Sequence, residues 1–176
     1  MELEISQLVD KIVRSIPNYP KPGINFRDIC PLLKNIEALN KVIDYFAGKI
    51  NFEFDYIAGL ESRGFLFGIL LSQRLNKGFI PIRKKNKLPG EKISLEYKLE
   101  YGSDIIEIQA DAFEPGSKIL ICDDLLATGG TAVAANELIH KAQGNTVGYV
   151  FVIELKDLKG KDRFDPKVPV IVALSD

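Results

Sequence analysis

A doubly wound α/β fold, with a mostly parallel central sheet and flanking helices, is what this sequence predicts. Strand-length apolar runs alternate with helical periods along nearly all of the 176 residues. The run Ile119-Leu120-Ile121-Cys122 shows no polar alternation, as in a strand covered on both faces of a parallel sheet. Two carboxylates and a small-residue loop follow it directly, at the strand end where open α/β sheets hold their ligands.

The elements follow in order. Ile5, Leu8, Val9, Ile12, Val13 and Ile16 recur at helical spacing, and Pro17 stops that helix. Pro20, Pro22 and Gly23 make a loop leading into Ile24-Asn25-Phe26-Arg27-Asp28. Ile36, Leu39, Val42, Ile43 and Phe46 share one face of a second helix. Tyr56–Leu60 reads as a short buried strand, Gly64–Leu75 as a helix, and Phe79–Ile82 as a strand entering the basic loop Arg83-Lys84-Lys85-Asn86-Lys87. From about residue 91 to 113 apolar and polar residues alternate with period two, interrupted at Tyr101–Asp104. That pattern is a hairpin rather than a βαβ unit, and its small apolar content reads as a mobile flap. After the Ile119–Cys122 strand comes a helix to about Ala142, stopped by Gly144-Asn145. Thr146–Leu155 and Val168–Leu174 are the last two strands.

Bulk properties narrow the function. Residues 1–176 are most simply one domain, long enough to bury a substantial core. Lys+Arg of 23 against Asp+Glu of 24 gives a net charge of −1, so neither nucleic acid nor a membrane surface is an expected partner. The acidic start Met1-Glu2-Leu3-Glu4 is not a signal peptide, and no apolar run approaches transmembrane length. Cys30 and Cys122 make no disulfide framework, which leaves a cytoplasmic protein as the expectation. His140, the single histidine, lies near a helix end and reads as a surface or dipole-facing residue.

The chemistry concentrates in Ile119–Thr131. Gly129 and Gly130 let the backbone turn sharply beside a ligand, and the N–H groups opening the next helix favour an anion such as phosphate. Asp123 and Asp124 repel that same anion. Acids beside an anion cradle imply a ligand with both phosphate and polyol or cationic character; ribose 5-phosphate with free 2- and 3-hydroxyls and a divalent metal fits. Neither GxxxxGK[ST] nor GxGxxG is present. The string Asp123-Asp124-Leu125-Leu126-Ala127-Thr128-Gly129-Gly130-Thr131 resembles the phosphoribosyl pyrophosphate (PRPP) motif of the type I phosphoribosyltransferases.

Other segments extend the chemistry. Glu61-Ser62-Arg63-Gly64 forms a second strand–helix turn, where Arg63 either faces phosphate oxygens or pairs with a neighbouring acid. PRPP has two phosphate ends, which strengthens the first reading. In the basic loop Arg83 and Lys87 are the candidates for ligand contact, with Lys84 and Lys85 unassigned. Glu100, at the tip of the flap, is placed to deliver a carboxyl as the flap closes.

Asn25-Phe26-Arg27-Asp28, Tyr56–Gly68, Lys87-Leu88-Pro89-Gly90, Leu99-Glu100-Tyr101-Gly102, the PRPP motif and Glu154–Gly160 together resemble the adenine phosphoribosyltransferase subfamily, in order and over nearly the whole chain. The resemblance implies a type I phosphoribosyltransferase fold with an N-terminal helix and base-binding hood over about 1–30 and a hairpin flap over about 88–113. It implies transfer of the 5-phosphoribosyl group from PRPP to N9 of adenine, giving AMP and pyrophosphate in purine salvage. Implied roles place Ala127, Thr128, Gly129, Gly130 and Thr131 on the 5-phosphate and Asp123 and Asp124 on the ribose hydroxyls. Arg63, Arg83 and Lys87 face pyrophosphate. Phe26 stacks on adenine, the backbone of Asn25 and Arg27 reads its edge, and Leu155 packs on the other side. Glu100 handles the imidazole-ring proton, Tyr101 helps close the flap, and Arg63 assists catalysis. Mg2+ enters with PRPP, with Asp123 and Asp124 as further candidate ligands, and a homodimer is implied. A non-proline cis peptide in the Glu61–Arg63 turn is a further implication. Asn25 and Lys161 depart from the residues common at their positions; a backbone contact survives the first change. A PRPP-sensing regulator without catalysis is the rival reading, and the absence of an added nucleic-acid-binding segment or basic face counts against it.

Overall fold

The computed structural model describes residues 2–98 and 102–176. Helix α1 (Glu2–Ile12) ends before Val13 and Ile16, which the apolar period had placed in the same helix. Arg14–Pro17 instead forms strand β1, antiparallel to β2 (Asn25–Asp28), with Ile16 opposite Phe26. The reason lies in Pro17. Its ring disfavours the α conformation of Ile16 and clashes with the carbonyl of Val13, so the chain leaves the helix early. A short helix α2 (Cys30–Lys34), unassigned from sequence, precedes α3 (Ile36–Lys49). Asn35 caps α3, its side-chain oxygen accepting the Ala38 N–H at 3.1 Å.

The remaining elements are β3 (Tyr56–Leu60), α4 (Gly64–Leu75), β4 (Gly78–Lys84), β5 (Lys92–Lys98), β6 (Ser103–Gln109), β7 (Lys118–Leu126), α5 (Gly130–Lys141), β8 (Asn145–Glu154) and β9 (Val170–Ser175). They build a seven-stranded sheet in the order β5-β6-β4-β3-β7-β8-β9. β4, β3, β7, β8 and β9 are parallel neighbours, while β6 is antiparallel to β4 and β5 to β6. Fold class and hairpin agree with the sequence reading.

Alternation along the strands sorts side chains into two cores. Ile57, Leu120, Cys122, Val150 and Val152 face α1, α3 and α4. Ala58, Ile119, Ile121, Tyr149 and Phe151 face α5 and the hairpin. Cys122 is fully buried, and both cysteines are free thiols.

One expectation needs correction at the root of the hairpin, which is anchored rather than poor in apolar contact. Ile106 and Ile108 are buried, and Ile93, Leu95 and Tyr97 pack beside them. Glu107 is buried there at 2 % exposure. It accepts the Asn86 N–H at 2.9 Å and the Ser94 hydroxyl at 3.3 Å, with the Lys92 ammonium at 3.8 Å. The hairpin root and the basic loop are therefore tied through one carboxylate.

Candidate active site

Strand order creates the site. From β3 the chain crosses through α4 to β4 on one side, while from β7 it crosses through α5 to β8 on the other. The two crossovers diverge between β3 and β7, the topological switch point where open α/β sheets bind ligands. A cavity of about 300 Å³ opens there, lined by Glu61, Ser62 and Arg63 after β3, by Asp123 and Asp124 near the C-terminal end of β7, and by Thr131 in the first turn of α5. A second cavity of about 80 Å³ continues along Ala127–Thr131.

Asp124 is buried at 4 % exposure and Asp123 is half-buried. Gly64, which opens α4, lets that helix come close: a Cβ there would lie 2.7 Å from the Cys122 carbonyl and 2.9 Å from an Asp123 carboxylate oxygen. Burial pushes Asp123 well above the usual carboxylate range, and the neighbouring charge of Asp124 adds to it. Burial raises Asp124 as well, with the Arg63 guanidinium opposing the shift. Two acids that resist ionising together form a place where a cation, or hydroxyls donating hydrogen bonds, is welcome.

The loop after β7 turns through Gly129, whose φ is +78°. A Cβ at Gly129 would stand 2.7 Å from the Gly160 carbonyl, and a Cβ at Gly160 would strike the carbonyl of Ala127. Glycine at both positions lets the 3-10 turn Gly160–Arg163 lie directly on this loop. Helix α5 then begins at Gly130, so the residues of its first turn, whose N–H groups have no helical partners, line the smaller cavity.

Arg63 meets both sequence-level readings. Its Nε lies 3.0 Å from an Asp124 carboxylate oxygen, and its guanidinium carbon is 5.3 Å from the Phe26 ring centroid. The Glu61–Ser62 peptide is cis, in the turn where the resemblance places one. Arg83 turns to Glu61, donating from Nε and Nη2 at 3.2 Å each, and from Nη1 to the Lys87 carbonyl at 2.9 Å. Lys84 instead lines the cavity and pairs with Asp104 at 3.1 Å. Alternation along β4 explains the split, since Ile80, Ile82 and Lys84 share the face that Arg83 does not. Glu61 was missed by the sequence reading; it also accepts the Lys84 N–H at 2.8 Å and so sets the geometry of the basic loop.

Phe26 is half-buried on β2, edge-on to Tyr19 with centroids 5.2 Å apart. Asn25 beside it is exposed. The Arg27 side chain points elsewhere, donating to Asp10 at 2.9 Å and to the Ser15 hydroxyl at 2.5 Å, with Asp176 at 3.1 Å. It thereby ties β2 to α1, β1 and the segment after β9. Leu155 follows β8, its N–H donating to the Leu126 carbonyl at 2.9 Å, next to the PRPP-like loop. Phe26, Arg63 and Asp124 thus form one contiguous row, with Leu155 just past the end of β8, the strand beside β7. Glu100 and Tyr101 lie outside the described residues.

A doubly wound sheet with paired acids and a glycine loop at its switch point is the frame expected of a phosphoribosyltransferase, and the comparisons with known proteins agree. The family model for the phosphoribosyl transferase domain matches residues 32–173, and the chain belongs to this family. Relatives within the family include adenine phosphoribosyltransferases. That of Trichodesmium erythraeum is 54% identical over 161 residues, covering 91% of this chain and 94% of the relative. That of Halothermothrix orenii is 56% identical over 159 residues, covering 88% and 92%. The Saccharomyces cerevisiae enzyme, solved with adenine and D-2,5-dideoxy-2,5-imino-altritol 1,6-bisphosphate, superposes with a TM-score of 0.92 at 42% identity, covering 98% of this chain and 99% of that one.

Proposed function

We infer that this chain transfers the 5-phosphoribosyl group of PRPP to N9 of adenine, releasing AMP and pyrophosphate in purine salvage. The observation that carries the reading is the row Phe26–Arg63–Asp124, which joins an aromatic face to an acidic pair and an anion loop across the β3/β7 cleft. Identity above one half with adenine phosphoribosyltransferases across nine-tenths of the chain supports it. So does the yeast relative, which takes adenine together with a bisphosphate built on a cyclic amine.

In this reading the N–H groups of Ala127–Thr131 bind the 5-phosphate, and Asp123 and Asp124 accept from the ribose hydroxyls. Their negative charge favours the positive charge that develops on the sugar as pyrophosphate leaves. Arg63, Arg83 and Lys87 receive the departing pyrophosphate, and Lys84 joins them because it lines the cavity. Phe26 stacks on the base opposite Leu155. The backbone edge of Asn25 and Arg27 accepts from the exocyclic amine and donates to N1; hypoxanthine presents the reverse pattern and leaves buried groups unpaired. Glu100 handles the imidazole proton, and Tyr101 helps the flap exclude water.

A divalent cation fits the pair Asp123 and Asp124, since burial and mutual repulsion disfavour their ionisation and the Arg63 guanidinium on Asp124 offsets this only in part. Mg2+ would enter with PRPP and be held in part by Asp123 and Asp124; among the described residues no three His, Cys, Asp or Glu side chains gather into a cage. The chemistry such an ion would supply is neutralisation of charge on the leaving pyrophosphate. Leu66 and Ile69, 42% and 50% exposed on α4, support a homodimer seam. Two free thiols support a reducing compartment, the cytoplasm. Among the described residues no helix is long and apolar enough to cross a membrane.

The test incubates the protein with PRPP, Mg2+ and, separately, adenine, hypoxanthine, guanine and orotate, following nucleotide and pyrophosphate. AMP from adenine alone is expected. Product from another base overturns the base-site assignment, and no product from any base overturns the reaction.

A further inference from the structure

The loop Ala127–Thr131 contains no basic side chain, and the acidic Asp123 lines the same small cavity. A phosphate dianion there meets backbone dipoles and hydroxyls but also a nearby carboxylate. A formal positive charge at the loop would offset that repulsion.

Arg163 brings one. Its Nη1 donates to the Thr128 carbonyl at 3.3 Å. The same nitrogen lies 3.5 Å from where a Cβ on Gly130 would stand. A carbonyl partner uses one of the five guanidinium N–H donors, leaving others for a phosphate oxygen. The side chain is exposed to solvent, and among the described residues its one hydrogen bond is the one to Thr128.

Its backbone is held from both sides. Three residues earlier, Gly160 is pressed against the Ala127 carbonyl and the Gly129 N–H. One residue later, Phe164 is buried and stacks on Tyr149, with centroids 4.2 Å apart and planes 7° from parallel. Phe151, whose ring is also parallel to that of Phe164, forms part of the wall of the small cavity. Arg163 is therefore delivered to the loop by a braced 3-10 turn rather than by a loose segment.

We propose that Arg163 is a binding residue for the 5-phosphate, supplying the positive charge that the loop itself lacks. The proposal rests on the reading of Ala127–Thr131 as the 5-phosphate site. Neither composition nor the PRPP motif points to Arg163, since it lies more than thirty residues beyond that motif in sequence.

The experiment measures dissociation constants by calorimetry for ribose 5-phosphate, which carries the 5-phosphate, and for pyrophosphate with Mg2+, which does not. Wild type, Arg163→Gln and Arg163→Lys are compared. Arg163→Gln is expected to weaken ribose 5-phosphate by roughly 10-fold to 100-fold, the range of a charge-assisted hydrogen bond, and to leave pyrophosphate within about twofold. Arg163→Lys should recover most of the loss, because it restores charge without the planar fork. Equal weakening of both ligands would mean that Arg163 only shapes the cleft, and unchanged ribose 5-phosphate affinity would mean that it contributes nothing; either overturns the proposal. Wild type that makes AMP while Arg163→Gln binds ribose 5-phosphate normally refutes the role of Arg163 alone. Wild type that neither makes AMP nor binds ribose 5-phosphate refutes the functional reading beneath it.

Discussion

Replacing Asp123 by Asn is expected to stabilise the ligand-free protein and to weaken its hold on PRPP. The Asp124 N–H donates to Asp123 Oδ1 at 2.9 Å, a bond that an amide oxygen retains. What disappears is the charge, which burial and Asp124 both disfavour. An incompletely compensated buried polar group costs about 1–3 kcal/mol. Asp123 is half-buried, so the gain sits near the lower end, about 1 kcal/mol, or about 2–4 °C in Tm for a chain of this size. The pH dependence has a definite sign. The carboxyl of Asp123 titrates in the folded state above its ordinary value of 3.8, so the folded protein keeps a proton that the unfolded chain has released. Stability from this group is full below that ordinary value and is lost as pH rises through the folded value. The advantage of Asp123→Asn is therefore present near pH 7.5 and shrinks as pH falls toward about 4. Calorimetric unfolding of both proteins at several pH values, without ligand, checks this. PRPP binding should fall by about 10-fold to 150-fold, one charge-assisted bond to a ribose hydroxyl being lost. A variant less stable than wild type near neutrality, or one whose difference does not change with pH, refutes the electrostatic account of the pair.

Phe26→Ala should raise KM for adenine by about 5-fold to 150-fold, from base–aromatic stacking of about 1–3 kcal/mol, with PRPP affinity unchanged in direct titration. Gly129→Ala should destabilise the fold by about 1–3 kcal/mol, because φ is +78° and the Gly160 carbonyl is 2.7 Å from the new Cβ. In urea unfolding that cost appears as a lower midpoint, and PRPP binding should suffer more than adenine binding. Glu100→Gln should lower turnover by about 10²–10⁴-fold while PRPP still binds, as rapid-quench kinetics and titration would separate.

The parts of the fold legible in the sequence are those specified locally. The strand Ile119–Cys122, the acidic pair and the glycine loop each follow from neighbouring residues, and the structure puts them on β7 and at the start of α5. The N-terminal segment was harder, because Val13 and Ile16 fit a helical period as well as an apolar strand. Pairing of Ile16 with Phe26 across a loop decides it, and only Pro17 hints at the outcome. Alternation along β4 was available as a signal and separates Lys84 from Arg83. Glu61, Glu107 and Arg163 gave no such sign. Each works through a partner more than twenty residues away in the described contacts — Arg83, Asn86 or Thr128 — and a lone charged residue in sequence reads as solvated surface.

Crystals grown with AMP, pyrophosphate and Mg2+ give the most direct test of the central claim, that the β3/β7 cleft holds both ends of PRPP beneath the Phe26 face. The account predicts the AMP phosphate on the N–H groups of Ala127–Thr131, the ribose hydroxyls on Asp123 and Asp124, and the base against Phe26. Pyrophosphate should lie beside Arg63 and Lys84. A base bound away from Phe26, or a phosphate bound away from Ala127–Thr131, would contradict it.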